Sequence, residues 1–474
     1  MNSQKLLLIP MRKILFFLVL PFSSMGQGGV FKIENDASLK DALVSYYIAD
    51  LDSAAPIAAY QESKNLSPAS VLKLFSTAVA LSELGPDYQQ ESGIYISGTV
   101  AAGSLNGDLI IDPNYNPTLG AMRFGQNLEK VSTAIQGFLT AKGITNIQGK
   151  LQVVEKVSVP QRIPRTWIWE DMGNYYGAGG GSVAWNENIL ELMFSSGAAG
   201  EPAKLLKTEP EVPFLDLVNE VKASTMNRDL AFCYSRPGDH QISISGTIPE
   251  QKNYFVVKAA MPDPGLALAN LLTTDLLKKG VMIKGKPSVR GQLGAEVTKI
   301  GGIKSASVSE IVAQTNLNSV NFYAEALLEL AYQHSGAEVE KLDWFKQRLQ
   351  QNYGIEAPLL FDASGLSRFN AVSSKQVVTL LTQAISGSQG SSFERSLAVA
   401  GRTGTLKSLL RRTPANGFVK GKSGSMTGVR CYAGIVTAVS GKNYVFALML
   451  NNYEENYAVL KPLIEQWMLS IFEQ

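Results

Sequence analysis

Ser70-Val71-Leu72-Lys73 is the one place in this chain where a serine is followed three residues later by a lysine. The pair opens an apolar-periodic stretch. Ser67 is suited to an N-cap and Pro68 to the first helical position, and Val71, Leu74, Phe75, Ala78 and Leu81 then recur on one face. Ser70 is thereby expected in a first helical turn, where backbone N–H groups lack intrahelical partners and can stabilise a developing oxyanion. Lys73 follows one turn on, on the same side. A serine nucleophile with a lysine base needs this arrangement. A Ser and a Lys at this spacing also arise by chance on surface helices, so the chemistry depends on what else the chain supplies.

Two later segments supply it. Ser319-Val320-Asn321 is an S-x-N triplet between two amphipathic stretches, where a turn can aim both side chains at one point. Taken alone, such residues are more often helix caps. Lys422-Ser423-Gly424-Ser425 is a K-[ST]-G element opening a strand, with Gly424 allowing close backbone approach to a ligand. Its rival, Arg402-Thr403-Gly404-Thr405, is followed by a basic stretch expected to be helical, Leu406 to Arg412. A P-loop reading of Gly421-Lys422-Ser423 fails because Asn416 stands where that motif needs glycine. The order S-x-x-K, S-x-N, K-[ST]-G is the signature of penicillin-binding proteins and serine β-lactamases.

Composition narrows the alternatives. The 474 residues suggest two or three domains, and 45% hydrophobic with 18% charged content argues for large cores rather than disorder. Net charge is +2, and three basic residues (Lys5, Arg12, Lys13) lie in the first 26, leaving a near-neutral remainder without support for nucleic-acid binding. Residues 1–26 have the form of a secretory signal: Arg12 and Lys13, a short apolar run Ile14 to Leu20, then Ser24 and Gly26 before a cut at Gln27. A periplasmic or secreted location follows, with no membrane-spanning segment after removal. Two histidines (His240, His334) and two cysteines make a zinc site implausible and weaken a Ser-His-Asp mechanism. Cys233 and Cys431, far apart in sequence, are expected to be buried thiols.

These residues need elements to position them. A short helix is expected over Leu39 to Tyr47, then a hairpin of Tyr46–Leu51 and Pro56–Tyr60. From about 91 to 258, alternating segments punctuated by Gly, Asn and Pro suggest inserted β-rich structure with a helix near 127–141, and the glycines at 174–182 suggest a mobile loop. Helical periodicity returns at Gly265–Lys279, after a capping box at Ser307–Glu310, and over Phe322–Tyr332 and Leu342–Gln351. Three strands (417–425, 429–438, 444–451) and an amphipathic helix with Leu460, Leu463, Ile464, Trp467, Met468 and Ile471 close the chain.

With these residues in view, the chain resembles the peptidase S13 family, the low-molecular-mass class C penicillin-binding proteins with D-alanyl-D-alanine carboxypeptidase or endopeptidase activity. Pro68-Ala69-Ser70, Leu84–Asp87, Ala184–Asn188, Pro262-Asp263-Pro264, Asp362–Arg368 and Gly401–Leu406 look like its blocks, and the long gap from Lys73 to Ser319 is similar to the gap in that family. The resemblance implies an α+β, β-lactamase/transpeptidase-like domain (an antiparallel sheet with helices) from residues 27–90 and 259–474, with mostly-β domains inserted at 91–258. It implies peptidoglycan stem peptides as substrate, β-lactams as covalent inhibitors, and no metal or organic cofactor. By motif, Ser70 is the acylated nucleophile, Lys73 its base, Ser319 the proton relay to departing D-Ala, and Asn321 an orienting group. Lys422 and Ser423 bind the terminal carboxylate, Gly424 permits the approach, and the Ser425 N–H is the second oxyanion donor. Asp171, Tyr176, Arg368 and Met426 resemble positions that hold the third stem-peptide side chain, where an acid suits the free amine of diaminopimelate. Ser423 stands for the usual Thr, and Asn114–Pro117 (N-Y-N-P) for the usual G-G-D-P. The competing readings are a class A β-lactamase, for which Glu187-Asn188-Ile189-Leu190 is a poor match placed before the S-x-N, and a non-catalytic β-lactam sensor or wall-binding module.

Overall fold

The computed structural model describes residues 29–157, 162–236, 238–454 and 456–474. The expected signal segment, 1–26, lies outside the described residues. One antiparallel six-stranded sheet organises both ends of the chain, in the order Ala398–Val399, Val419–Met426, Val429–Thr437, Asn443–Asn451, Leu43–Asp50, Pro56–Tyr60. Strand residues alternate between two cores, as the two-residue period of a pleated strand requires. Cys431, Ala433, Ile435, Val445, Ala447 and Met449 face a helical layer that includes Lys73–Leu84, Val308–Asn318, Asn321–Ser335 and Ser374–Ser386. Tyr432, Val436, Tyr444, Phe446, Leu448 and Leu450 face the C-terminal helix, Tyr457–Phe472, through Leu460, Ile464, Trp467, Met468 and Ile471.

The expected helix over Leu39–Tyr47 is a strand instead. Only Ala37–Leu39 makes a helical turn, and Leu43–Asp50 pairs along its length with Asn443–Asn451. Leu406–Arg412 likewise forms turns after a short 3-10 segment, Gly404–Leu406, rather than a helix. The capping box at Ser307 forms, with Glu310 N–H donating to Ser307 Oγ and Ser307 N–H donating to Glu310 Oε2.

The sheet that opens at Glu91 draws on strands beyond 258. Strands Ser288–Arg290 and Val297–Lys304 complete a five-stranded sheet with Leu151–Val154, Leu109–Asp112 and Glu91–Ser97. Helix Pro264–Lys278 packs Leu268, Leu272 and Leu276 into the same core as helix Leu128–Ala141. An expected boundary at 258 therefore falls inside paired structure. Glu91 pairs with Lys304, so the chain enters and leaves side by side. A further core gathers strands between Ile189 and Ala260 around Phe194, Ile242 and Val257. Cys233 is buried there and Cys431 in the helical core of the main sheet, both as free thiols. Among the described residues no helix is long and apolar enough to cross a membrane.

Candidate active site

The turn that presents Ser70 is tighter than the sequence suggests. Ala69–Leu72 is a 3-10 turn running into helix Lys73–Leu84. Pro68 rather than Ser67 sits at the N-cap, without a capping side chain, and Ala69 adopts φ +44°. A non-glycine residue in this region is strained and persists only where its surroundings hold it. Two glycines do so here. A Cβ on Gly365 would run into the Ala69 carbonyl, and one on Gly424 would lie 2.5 Å from the Pro68 carbonyl oxygen and 3.1 Å from Ser70 N. The backbones of the Asp362–Asn370 loop and of strand Val419–Met426 thus clamp the turn.

Lys73 Nζ donates to Ser70 Oγ (2.8 Å) and to the Ser364 carbonyl (2.6 Å). The lysine is fully buried, whereas Ser70 keeps partial exposure. Burial lowers the Lys73 pKa to about 7, against the opposing pull of Asp362 and Glu325. A neutral amine at this position is a competent proton acceptor for the hydroxyl beside it.

Ser319 ends helix Val308–Asn318 in the left-handed conformation (φ +59°), and Asn321 begins the next helix. The turn is the one expected between the two amphipathic stretches. Lys422 Nζ donates to Ser319 Oγ (2.8 Å) and to the Ser423 carbonyl (2.6 Å). Lys422 is also fully buried, and its pKa lies well below the usual lysine range, first through burial and then through Lys73. The buried amine thus meets the partly exposed Ser319 hydroxyl rather than solvent. Strand Ala398–Val399 covers the outer edge of Val419–Met426 only at Lys420 and Gly421, so among the described residues Lys422–Met426 has no strand partner on that edge. Such an edge can accept an extended peptide as an added strand. Ser425 is exposed on it, while Ser423 and Met426 are half-buried.

The glycine-rich segment is not a free loop. Gly177–Gly180 are buried, and Gly180 packs against the backbone of Glu325 and Ala326. Asn188 Nδ2 donates to the carbonyls of Gly179 and Val183. Asn321 Nδ2 donates to the Tyr176 carbonyl (2.8 Å), so the S-x-N asparagine secures this segment; no bond joins it to Lys73. The Tyr176 hydroxyl and the Arg368 guanidinium both act on the Asp171 carboxylate and favour its charged form. Burial, the largest influence, raises the Asp171 pKa. Asp171, Tyr176 and Arg368 are therefore brought together, and Met426 packs against the helical core.

Three buried residues escaped the motif reading. Asp362 accepts from Gly365 N–H, Ser367 N–H, Asn370 Nδ2 and Trp167 Nε1. Glu325 Oε1 accepts from Ala363 N–H (3.0 Å) and Ser364 N–H (2.9 Å). A signal for Glu325 existed: an acid between two alanines, one turn past Asn321, in a mostly apolar stretch. Trp167 carried no comparable signal.

Residues 28–467 match the model of the D-Ala-D-Ala carboxypeptidase 3 (S13) family. The chain belongs to this family. Among S13-like relatives, it is 27% identical to a D-alanyl-D-alanine carboxypeptidase of Actinomadura sp. (strain R39), covering 89% of this chain and 80% of that protein. It is 22% identical to the D-alanyl-D-alanine carboxypeptidase DacB of Haemophilus influenzae, covering 89% of each. The crystal structure of penicillin binding protein 4 (dacB) from Haemophilus influenzae superposes with a TM-score of 0.79 at 20% identity, over 91% of this chain and 97% of that one, and shares the fold. One departure from the usual S13 sequence now has a physical description. Where G-G-D-P is usual, Asn114 and Tyr115 hold φ +50° and +60°, a backbone that glycines adopt without strain. Asn114 N–H donates to Asp112 Oδ1 and steadies the turn.

Proposed function

We propose that this protein is a penicillin-binding serine D-alanyl-D-alanine carboxypeptidase, with endopeptidase cleavage open to the same site, acting on peptidoglycan stem peptides through an acyl-Ser70 intermediate. The observation that carries the assignment of roles is the 2.8 Å bond between fully buried Lys73 and partly exposed Ser70. Neutral Lys73 takes the Ser70 hydroxyl proton as Oγ attacks the carbonyl carbon of the penultimate D-Ala. The N–H groups of Ser70 and Ser425 receive the oxyanion. Collapse breaks the C–N bond, and the proton held on Lys73 passes through the Ser319 hydroxyl, backed by Lys422, to the departing amine, which leaves Lys73 neutral again. Water, deprotonated by the same base, then attacks the acyl ester and frees Ser70.

The stem peptide lies along the open Lys422–Met426 edge, with its terminal carboxylate at Ser423. Asp171 and Tyr176 receive the amine of a diaminopimelate side chain, and Arg368 its carboxylate. A β-lactam enters as a mimic of the peptide end and acylates Ser70; penicillin binding protein 4 from Haemophilus influenzae has been crystallised with a β-lactam. The leader-like residues 1–26 and this substrate both support a periplasmic or secreted location.

Intact-protein mass with and without benzylpenicillin, followed by peptide mapping, tests the reading. One drug equivalent on the Ser70 peptide, absent in Ser70→Ala, is expected. A folded protein with neither adduct nor drug hydrolysis would overturn it. Release of D-Ala from a pentapeptide, compared with cleavage of a cross-linked dimer, separates the two peptidase activities.

A further inference from the structure

We propose that Glu325 is a positioning residue for Lys73, holding the Ala363–Ser364 backbone so that the Ser364 carbonyl stays on Nζ and the amine stays on Ser70. The inference rests on the acyl-Ser70 reading and adds to it a residue outside the three motifs. The chain of contacts is continuous. Glu325 Oε1 receives the N–H groups of Ala363 (3.0 Å) and Ser364 (2.9 Å). The Ser364 carbonyl receives Lys73 Nζ (2.6 Å), and Nζ donates to Ser70 Oγ (2.8 Å). Glu325 extends from the helix that Asn321 begins, so the S-x-N helix secures the Tyr176 segment at its start and the base-holding loop one turn later.

Burying a carboxylate is costly unless it is paired and bonded. Glu325 is 5% exposed, and no basic group makes an ion pair with it within 4 Å among the described residues. Its first bonds go to two backbone amides next to the base. That use of a buried acid is expensive if only the loop needed holding, since a neutral amide could accept the same N–H groups. The negative charge has a second effect: it favours the protonated form of Lys73, together with Asp362 and against burial. The charged groups facing Lys73 are Asp362, Glu325 and Lys422; those facing Glu325 include Asp362 and Lys341, the latter ion-paired with Glu329. Burial and Asp362 both push the Glu325 pKa above the usual carboxylate range.

Glu325→Gln separates the two effects because it keeps an acceptor oxygen and removes the charge. The experiment follows the rate of benzylpenicillin acylation by mass from pH 5 to 9 in wild type, Glu325→Gln and Glu325→Ala. Glu325→Gln is expected to stay folded and acylate near the wild-type maximal rate, because its amide oxygen still receives the two N–H groups, and any movement of the acid limb is toward lower pH, since Lys73 loses a group that holds its proton. Glu325→Ala is expected to lower the maximal acylation rate about 10- to 100-fold, on the scale of a displaced base, with drug affinity unchanged. A Glu325→Gln variant that folds but acylates at least about tenfold more slowly than wild type, or a folded Glu325→Ala variant that acylates at the wild-type rate, overturns the proposal. Normal labelling of wild type beside either of those results sinks this inference alone; absence of labelling in wild type sinks the acyl-Ser70 reading with it.

Discussion

At the residue scale, the site hides its bases and exposes its hydroxyls. Lys73 and Lys422 are fully buried, while Ser70 and Ser319 are partly accessible. Lys73→Ala should fold and bind penicillin, yet acylate about 10²- to 10⁴-fold more slowly, the range for loss of a general base; stopped-flow acylation measures it, and an unchanged rate would refute the role. Because the Lys73 pKa is lowered to about 7, wild-type acylation should fall as pH drops below that value. The same shift has a thermodynamic sign. Between about 7 and the ordinary 10.5 the unfolded chain holds a proton on this lysine that the folded chain does not, so its contribution to stability rises with pH across that window and is lost as pH falls to 7. Urea titrations of wild type and Lys73→Met at pH 7.5 and 9.5 should show the larger gain with pH in wild type. The candidacy of Ser70, Lys73, Ser319 and Lys422 was legible because residue type and order restrict the chemistry, and the structure brings Lys73 to Ser70 and Lys422 to Ser319. Glu325 and Asp362 were not, since their importance lies in which backbone amides they meet.

At the element scale, the sequence suggested a capped helix at Ser67–Pro68, and tertiary contacts imposed a strained 3-10 turn. Local capping is worth about 1 kcal/mol, less than the packing that brings Gly365 and Gly424 against the turn. Gly424→Val should leave the sheet intact and cut the acylation rate at least about tenfold, because its side chain would push the Pro68–Ser70 backbone away from the oxyanion position. Normal acylation by that variant would show that the clamp is dispensable. The Leu39–Tyr47 error has a related cause: an apolar pattern too short to fix its own period is decided by its partner strand. The glycine-rich segment was misjudged as mobile because its composition says nothing of the Asn188 and Asn321 amides that tether it.

At the scale of the whole molecule, the α+β architecture was legible from the motif order and the strand-rich middle. The exit point of the insertion was not. Helix Pro264–Lys278 reads like any amphipathic helix, and only the pairing of Ser288–Arg290 and Val297–Lys304 assigns its surroundings to the inserted sheet. The insertion is also no detachable ornament, since Trp167 bonds Asp362 and Glu187 receives the Tyr323 hydroxyl. The first long strand of the main sheet, Leu43–Asp50, has Asn443–Asn451 as a neighbour, and Lys422 comes some 350 residues after Ser70 in the chain. A truncation before residue 443 should therefore abolish penicillin labelling, although every motif side chain remains; labelling of that fragment would show that the sheet closes without its last strand. The consequence is one of timing. A ribosome must finish almost the whole polypeptide before Ser70 and Lys422 can be brought into one site, so the nascent chain stays inert until its end is made, and the power to cut appears in a single late event.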